Sequence, residues 1–192
     1  MGSVAIAQKA KLREEVNATL AGLSEQYRNE RSKKACELVS CQAAWTEANS
    51  ILFYAPIRGE LDVWPLLKLA LSAGKTVALP QFNPAENQYI ACNIRDPGGD
   101  MEIGCYGIRE PKAGCDSISL KRLDFVLVPG VAFDLHGRRL GRGKGFYDRL
   151  LATVRGKTCG VAFDEQIVRE VPVEPHDSDV NCILTPTRWI EL

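Results

Sequence analysis

Five short apolar runs constrain the fold of this chain more than any other feature. "SILFYAP" ends in Pro56, "TVALP" in Pro80, "DFVLVP" in Pro129 and "CILTP" in Pro186, and "TCGVAF" is a run of the same kind. Continuous apolar runs of this length suit strands buried on both faces, as in parallel sheets. A closing proline lacks a ladder donor and is expected to stop its strand. Parallel neighbours need long crossovers, and "ELDVWPLLKLALSAGK" between the first two runs is built as one. Asp62 can cap a helix start, Pro65 is tolerated in the first turn, Trp64, Leu67 and Leu71 form an apolar face, and Gly74 closes the end. "FYDRLLATV" supplies another short helix between strands. The expected class is α/β, with helices covering a largely parallel sheet.

Ahead of these runs, residues 4–23 read as a helix whose stripe is Leu12, Val16, Leu20 and Leu23. Lys9 and Arg13 fall on or beside that stripe. Either their stems cover apolar surface while the charges reach water, or they meet a buried anion; spacing leaves both open. A second helix is expected over 24–43, with Trp45 packing near its end. The stretch 82–117 reads as an irregular insertion holding one or two strands, near 88–94.

The length of 192 residues suits one domain, 1–192, and 24 cations balance 24 acids. Net neutrality argues against a general nucleic-acid or membrane-surface binder, so anion recognition has to be local. Seven cysteines, none in a C-x-x-C pair, indicate neither a disulfide framework nor a zinc site. Reduced thiols and a cytoplasmic location are expected. The Met-Gly start resembles a myristoylation site, but there is no secretory signal and no apolar run long enough to span a membrane.

Ligands of open α/β sheets sit beyond the carboxyl ends of strands. That edge would gather Glu60 from "PIRGELD", the loop "PGVAFDLHGRRLGRGKG", and "DEQ" with Gln166. Within the loop, Gly141, Gly143 and Gly145 alternate with Arg142 and Lys144, and a helix begins near Phe146. Glycines let a backbone approach a ligand closely, exposed N–H groups cradle anions, and arginine grips phosphate through paired hydrogen bonds. The loop fits neither G-x-G-x-x-G, since Phe146 occupies the third glycine position, nor G-x-x-x-x-G-K-[ST]. Asp148 could hold Mg2+ beside phosphate oxygens. A solvated basic loop or an RNA contact remains open on these residues alone.

"PGVAFDLHGRRLGRGKGFYDRLL" resembles the signature of the 5-formyltetrahydrofolate cyclo-ligase family. Lys9 and Arg13 match that family's K-x-x-x-R, "RGELD" its acidic turn, and "VAFDEQIVREVPVEPHDSDV" its C-terminal segment. The chain departs from many members in having Phe146 before Tyr147, where two tyrosines are common, and Lys144 within the glycine run. The resemblance implies a single three-layer α/β domain similar to the sugar-phosphate isomerase and CoA-transferase group. It implies ATP- and Mg2+-dependent conversion of 5-formyltetrahydrofolate to 5,10-methenyltetrahydrofolate with release of ADP and phosphate, through a phosphorylated formyl group. Lys9, Arg13 and the run Arg139, Leu140, Gly141, Arg142, Gly143, Lys144, Gly145, Phe146 and Tyr147 would hold ATP. Arg142, Lys144 and Tyr147 would serve catalysis, and Asp148 and Asp177 would hold Mg2+. Ala55, Glu60, Tyr106 and the Arg142–Phe146 run would contact the folate, with Glu60 accepting from the pteridine and Tyr106 stacking on a ring. Gln166 would line the site, Lys121-Arg122 could meet a glutamate tail, and neither His136 nor His176 is needed as a base. A monomer acting on small molecules is expected. The rival readings are an ATP-using paralogue with a non-folate substrate and an RNA-binding module.

Overall fold

The computed structural model describes residues 2–104, 107–174 and 177–192. The chain opens with three helices: α1 (Gly2–Ala21), α2 (Glu25–Ser40) and the single turn α3 (Ala43–Thr46). Next come β1 (Ser50–Leu52), α4 (Trp64–Ser72), β2 (Thr76–Asn83), β3 (Gln88–Ile94), β4 (Met101–Ile103), β5 (Arg109–Pro111) and β6 (Ser117–Ile118). The last part holds β7 (Phe125–Pro129), β8 (Ala132–Phe133), β9 (Arg139–Leu140), α5 (Phe146–Leu151), β10 (Lys157–Val161), β11 (Cys182–Leu184) and β12 (Trp189–Glu191).

The main sheet runs β12-β11-β10-β7-β1-β2-β3-β6. Every pair from β11 to β2 is parallel, whereas β12, β3 and β6 attach antiparallel at the two sides. All five apolar runs therefore form the parallel centre, where strands are buried on both faces. Their side chains alternate between two cores. Ile51, Phe125, Leu127, Val77, Leu79 and Leu184 pack with α1, α2 and α4, while Leu52, Val126, Val128, Ala78 and Ile183 pack with Leu150 and Leu151 of α5. Helices thus cover both faces, in three layers.

Local signals place the helices as the sequence reads. Ser24 caps α2 by accepting the Tyr27 N–H at 3.1 Å, and Asp62 Oδ1 accepts the Trp64 N–H at 2.9 Å as α4 begins. Val16 and Leu20 of α1 are buried, with Leu12 and Leu23 packed beside them. Trp45 meets Phe53 edge to face, with ring centroids 6.2 Å apart. One expectation fails: β2 continues through Pro80 to Asn83. Beyond Ala78 the strand has lost β1 as a neighbour and pairs only with β3, so position 80 stands at an edge that needs no donor. The insertion 82–117 is also more ordered than expected. β3 pairs along β2, and β4 and β5 form a separate hairpin.

Among the described residues, no helix is long and apolar enough to cross a membrane.

Candidate active site

The carboxyl ends of β1, β7 and β10 lead into loops that meet at one edge of the sheet. Gln166 ties two of them together. Its Nε2 donates to the Gly130 and Val131 carbonyls at 2.8 and 3.0 Å, and its Oε1 accepts the Phe163 N–H at 2.8 Å. The side chain is 2% exposed, and Gln166 is absent from the lining of both clefts described below. Its expected role as a lining residue is corrected here: the amide is consumed by backbone partners, so it positions the loops.

The loop from Gly141 to Gly145 crosses between two clefts. One, of about 190 Å³, is walled by Tyr54, Ala55, Glu60, Tyr89, Glu110 and Phe146. The other, of about 880 Å³, is walled by Lys9, Arg13, Gly143, Arg149, Glu174 and Asp177. Arg139, Gly141, Lys144, Gly145 and Asp148 border both. Gly143 and Gly145 have φ of 94° and 65°, in the region that favours glycine, and Gly145 immediately precedes α5.

Charges in the loop are held by named partners. Arg139, 6% exposed, pairs with Asp148 at 2.5 Å and donates to the Pro129 carbonyl. Its guanidinium lies 5.8 Å from the Tyr147 ring centre. Arg142 reaches Glu60 at 3.2 Å. α1 brings both of its early cations to the same place. Arg13 Nε donates to the Gly141 carbonyl at 2.8 Å, and Lys9 Nζ pairs with Asp177 at 2.6 Å and Glu174 at 2.8 Å. The stripe positions Lys9 and Arg13 therefore face the cleft rather than water, and the anions that Lys9 meets are the chain's own carboxylates.

Burial works against the Lys9 charge, yet hydrogen bonds to Asp177 and Glu174 outweigh it and hold the ammonium pKa above its ordinary value. Burial raises the Glu60 pKa, opposed by the Ile57 N–H and by Arg142. Burial, followed by the Glu60 charge, pushes the Tyr147 phenol well up, so it stays protonated near neutral pH and keeps a proton to donate.

The aromatic wall comes from three elements. Phe82 of β2, Tyr89 of β3 and Phe146 of α5 meet edge to face at centroid distances of 5.1 to 5.6 Å. Arg149 lies 5.0 Å over Phe146. Tyr106 and His176 lie outside the described residues. The sequence reading missed Tyr89, Glu110 and Glu174. Tyr89 and Glu110 sit in the insertion, whose path depends on pairing with β2; Glu174, three residues before Asp177, was legible as a second carboxylate.

Asp148, Asp177 and Glu174 present hard oxygen donors along the second cleft. Among the described residues no three such groups stand together as a metal site, and these carboxylates are paired with Arg139 or Lys9; Mg2+ needs only one or two of them together with phosphate oxygens.

Comparison with known proteins accords with this arrangement. The pattern of the 5-formyltetrahydrofolate cyclo-ligase family matches residues 5–186. The chain is 32% identical over 170 residues to the 5-formyltetrahydrofolate cyclo-ligase of Escherichia coli K12, covering 86% of this chain and 93% of that protein. It is 28% identical over 187 residues to the Mus musculus enzyme of the same name, covering 92% of each. The NMR structure of Aquifex aeolicus 5,10-methenyltetrahydrofolate synthetase superposes with a TM-score of 0.87 at 34% identity, over 96% of this chain and 92% of that one. A Mycoplasma pneumoniae 5,10-methenyltetrahydrofolate synthetase shares the fold, with a TM-score of 0.74 at 20% identity. With the pattern spanning nearly its whole length, the chain belongs to the 5-formyltetrahydrofolate cyclo-ligase family.

Proposed function

We propose that this protein converts 5-formyltetrahydrofolate and ATP to 5,10-methenyltetrahydrofolate, ADP and phosphate. The observation that carries this reading is the glycine-cation loop standing between an aromatic cleft and a cation-lined one. A heteroaromatic substrate and a triphosphate would meet across it. The named relatives support the same reaction.

The formyl oxygen attacks the γ-phosphorus and ADP leaves, giving an imidate phosphate. The folate N10 then attacks the formyl carbon, phosphate departs with the C–O bond electrons, and N10 loses its proton to the departing phosphate or to water. Phosphoryl transfer of this kind rests on positioning and charge stabilisation. Lys9, Arg13, Arg139, Arg142 and Lys144, with the N–H groups from Leu140 to Gly145, would hold the triphosphate. Arg142 and Lys144 would neutralise the transferring group, and the Tyr147 hydroxyl would donate to the formyl or phosphoryl oxygen. Asp148 and Asp177 would hold Mg2+, which when bound offsets phosphate charge. Ala55, Glu60 and Phe146 would contact the folate, and Glu60 would accept a ring N–H once Arg142 turns to phosphate. Tyr106 remains proposed as a stacking residue on sequence grounds.

Another groove beside Tyr89 and Phe146 runs past Ser119 and Leu120. A glutamate tail lying there would approach Lys121 and Arg122. We read residues 1–192 as one domain of the sugar-phosphate isomerase and CoA-transferase type, monomeric, in the cytoplasm, where its free thiols stay reduced. An RNA-binding role fits poorly with a chain whose 24 cations are balanced by 24 acids.

The test is to mix protein, 5-formyltetrahydrofolate, ATP and Mg2+ and follow the near-ultraviolet absorbance of the methenyl product. An ATP-dependent rise is expected. No rise, with ATP still bound, would refute the folate assignment and leave a different acceptor for the phosphoryl group.

A further inference from the structure

Three carboxylates line the aromatic cleft; Asp148 is paired with Arg139, and the other two are not equivalent. Glu60 has both oxygens engaged: Oε2 accepts the Ile57 N–H at 3.1 Å, and Oε1 takes Arg142 at 3.2 Å. Glu110 on β5 is 6% exposed. Its Oε2 accepts the Phe82 N–H at 3.0 Å, while Oε1 is buried with no hydrogen-bond partner among the described residues. Among the described residues no cation pairs with it. The adjacent Arg109 is turned elsewhere, 5.0 Å over the Trp64 ring and donating to the Pro97 carbonyl.

An ionised carboxylate can accept about four hydrogen bonds, and burying one with a single donor is costly. The fold nonetheless makes room for it. A Cβ on Gly104 would stand within 2.5 Å of Glu110 Oε1, so only the bare glycine admits this side chain. Among the described residues the wall supplies one donor, and the cleft is where a further donor can enter. Glu110 lines the cleft, so an N–H group of a molecule bound there comes within reach of its carboxyl group.

We propose that Glu110 accepts the N–H edge of the aminopyrimidine part of the substrate ring, and so selects for a ring that carries an exocyclic amino group. This inference rests on the folate reading of the cleft. Glu60 is tied to the loop through Arg142 and belongs with the reacting end of the substrate. Glu110 is bonded to β2 and has no such tie. The two carboxylates thus read different donors of one bicyclic ring, and recognition is shared between the acidic turn after β1 and the insertion.

The experiment is calorimetric titration of the full chain with 5-formyltetrahydrofolate, with its 2-desamino analogue, and separately with ATP. The wild-type protein is expected to bind the analogue roughly 10- to 100-fold more weakly than the parent, the loss typical of a hydrogen bond to a charged group. Glu110→Gln replaces an acceptor with a donor at constant shape. It is expected to weaken the parent by a similar factor, to abolish discrimination between parent and analogue, and to leave ATP binding unchanged. Equal binding of both compounds by the wild type overturns the proposal without any variant. So does a Glu110→Gln protein that still discriminates. A wild type that binds ATP but no reduced folate defeats the folate reading itself, and this inference with it.

Discussion

Lys9 Nζ stands 2.6 Å from Asp177 Oδ2, joining the first helix to a segment 168 residues further along the chain. Glu174 holds the same ammonium from 2.8 Å. The pair closes one wall of the cation-lined cleft and holds a cation where a triphosphate would need it. Lys9→Met should remove the ammonium that Asp177 and Glu174 both contact. Stability should fall by about 2 kcal/mol, and ATP affinity should fall with it, as read by urea unfolding and nucleotide titration. The Lys9 pKa is raised in the folded protein, so its contribution is complete below the unfolded value of about 10.4 and is lost as pH rises through the folded one. The difference between wild type and variant should therefore hold across neutral pH and narrow only in strongly alkaline solution.

Asp148 pairs with Arg139 and borders both clefts. Asp148→Asn keeps the shape but removes the charge that Mg2+ and Arg139 would share. The Mg2+ concentration for half-maximal turnover should rise about tenfold or more, with a loss of about 2–3 kcal/mol in stability because buried Arg139 loses its carboxylate. Turnover at limiting Mg2+ equal to wild type would remove Asp148 from the metal site.

Gly143 has φ of 94°, and a Cβ there would meet only the Arg13 guanidinium, 3.6 Å away. Space is sufficient, so the penalty of Gly143→Ala is conformational, about 1–2 kcal/mol. The loop should relax away from the geometry that gathers its N–H groups. A fall of about tenfold in kcat/KM with a nearly unchanged melting temperature is expected, because the strain is relieved by moving the loop and not by unfolding the core.

Gln166→Leu would leave the Gly130 and Val131 carbonyls and the Phe163 N–H without their partner. A loss of about 2–4 kcal/mol is expected in urea unfolding, one of the larger values for a single polar side chain here. Turnover in the folded fraction should fall less than in Asp148→Asn, since Gln166 acts only by holding loops.

Much of the fold was legible because its signals are local. An apolar run such as Phe125–Pro129 is continuous because both of its faces are covered, and Asp62 and Ser24 act within three residues of where they sit. Pro80 misled because a proline's effect depends on whether a neighbour strand is present, which is not a local property. The glycine-cation loop was legible as an anion cradle, and the α1 stripe placed Lys9 and Arg13 on the inward face. Their partners, Asp177 and the Gly141 carbonyl, were beyond the reach of periodicity.

The parallel sheet, the starts of α2 and α4 and the loop that handles charge are all readable from neighbouring residues, since each follows from local chemistry. What faces that loop is set by contacts that form only in the folded chain. Tyr89 and Glu110 reach the cleft because β3 pairs with β2 and β5 lies beside it, and Glu174 reaches Lys9 because the C-terminal segment returns to α1. Such contacts are set by the closing of long loops against a common core, where free energy comes from many distant residues at once and no short window of sequence contains it.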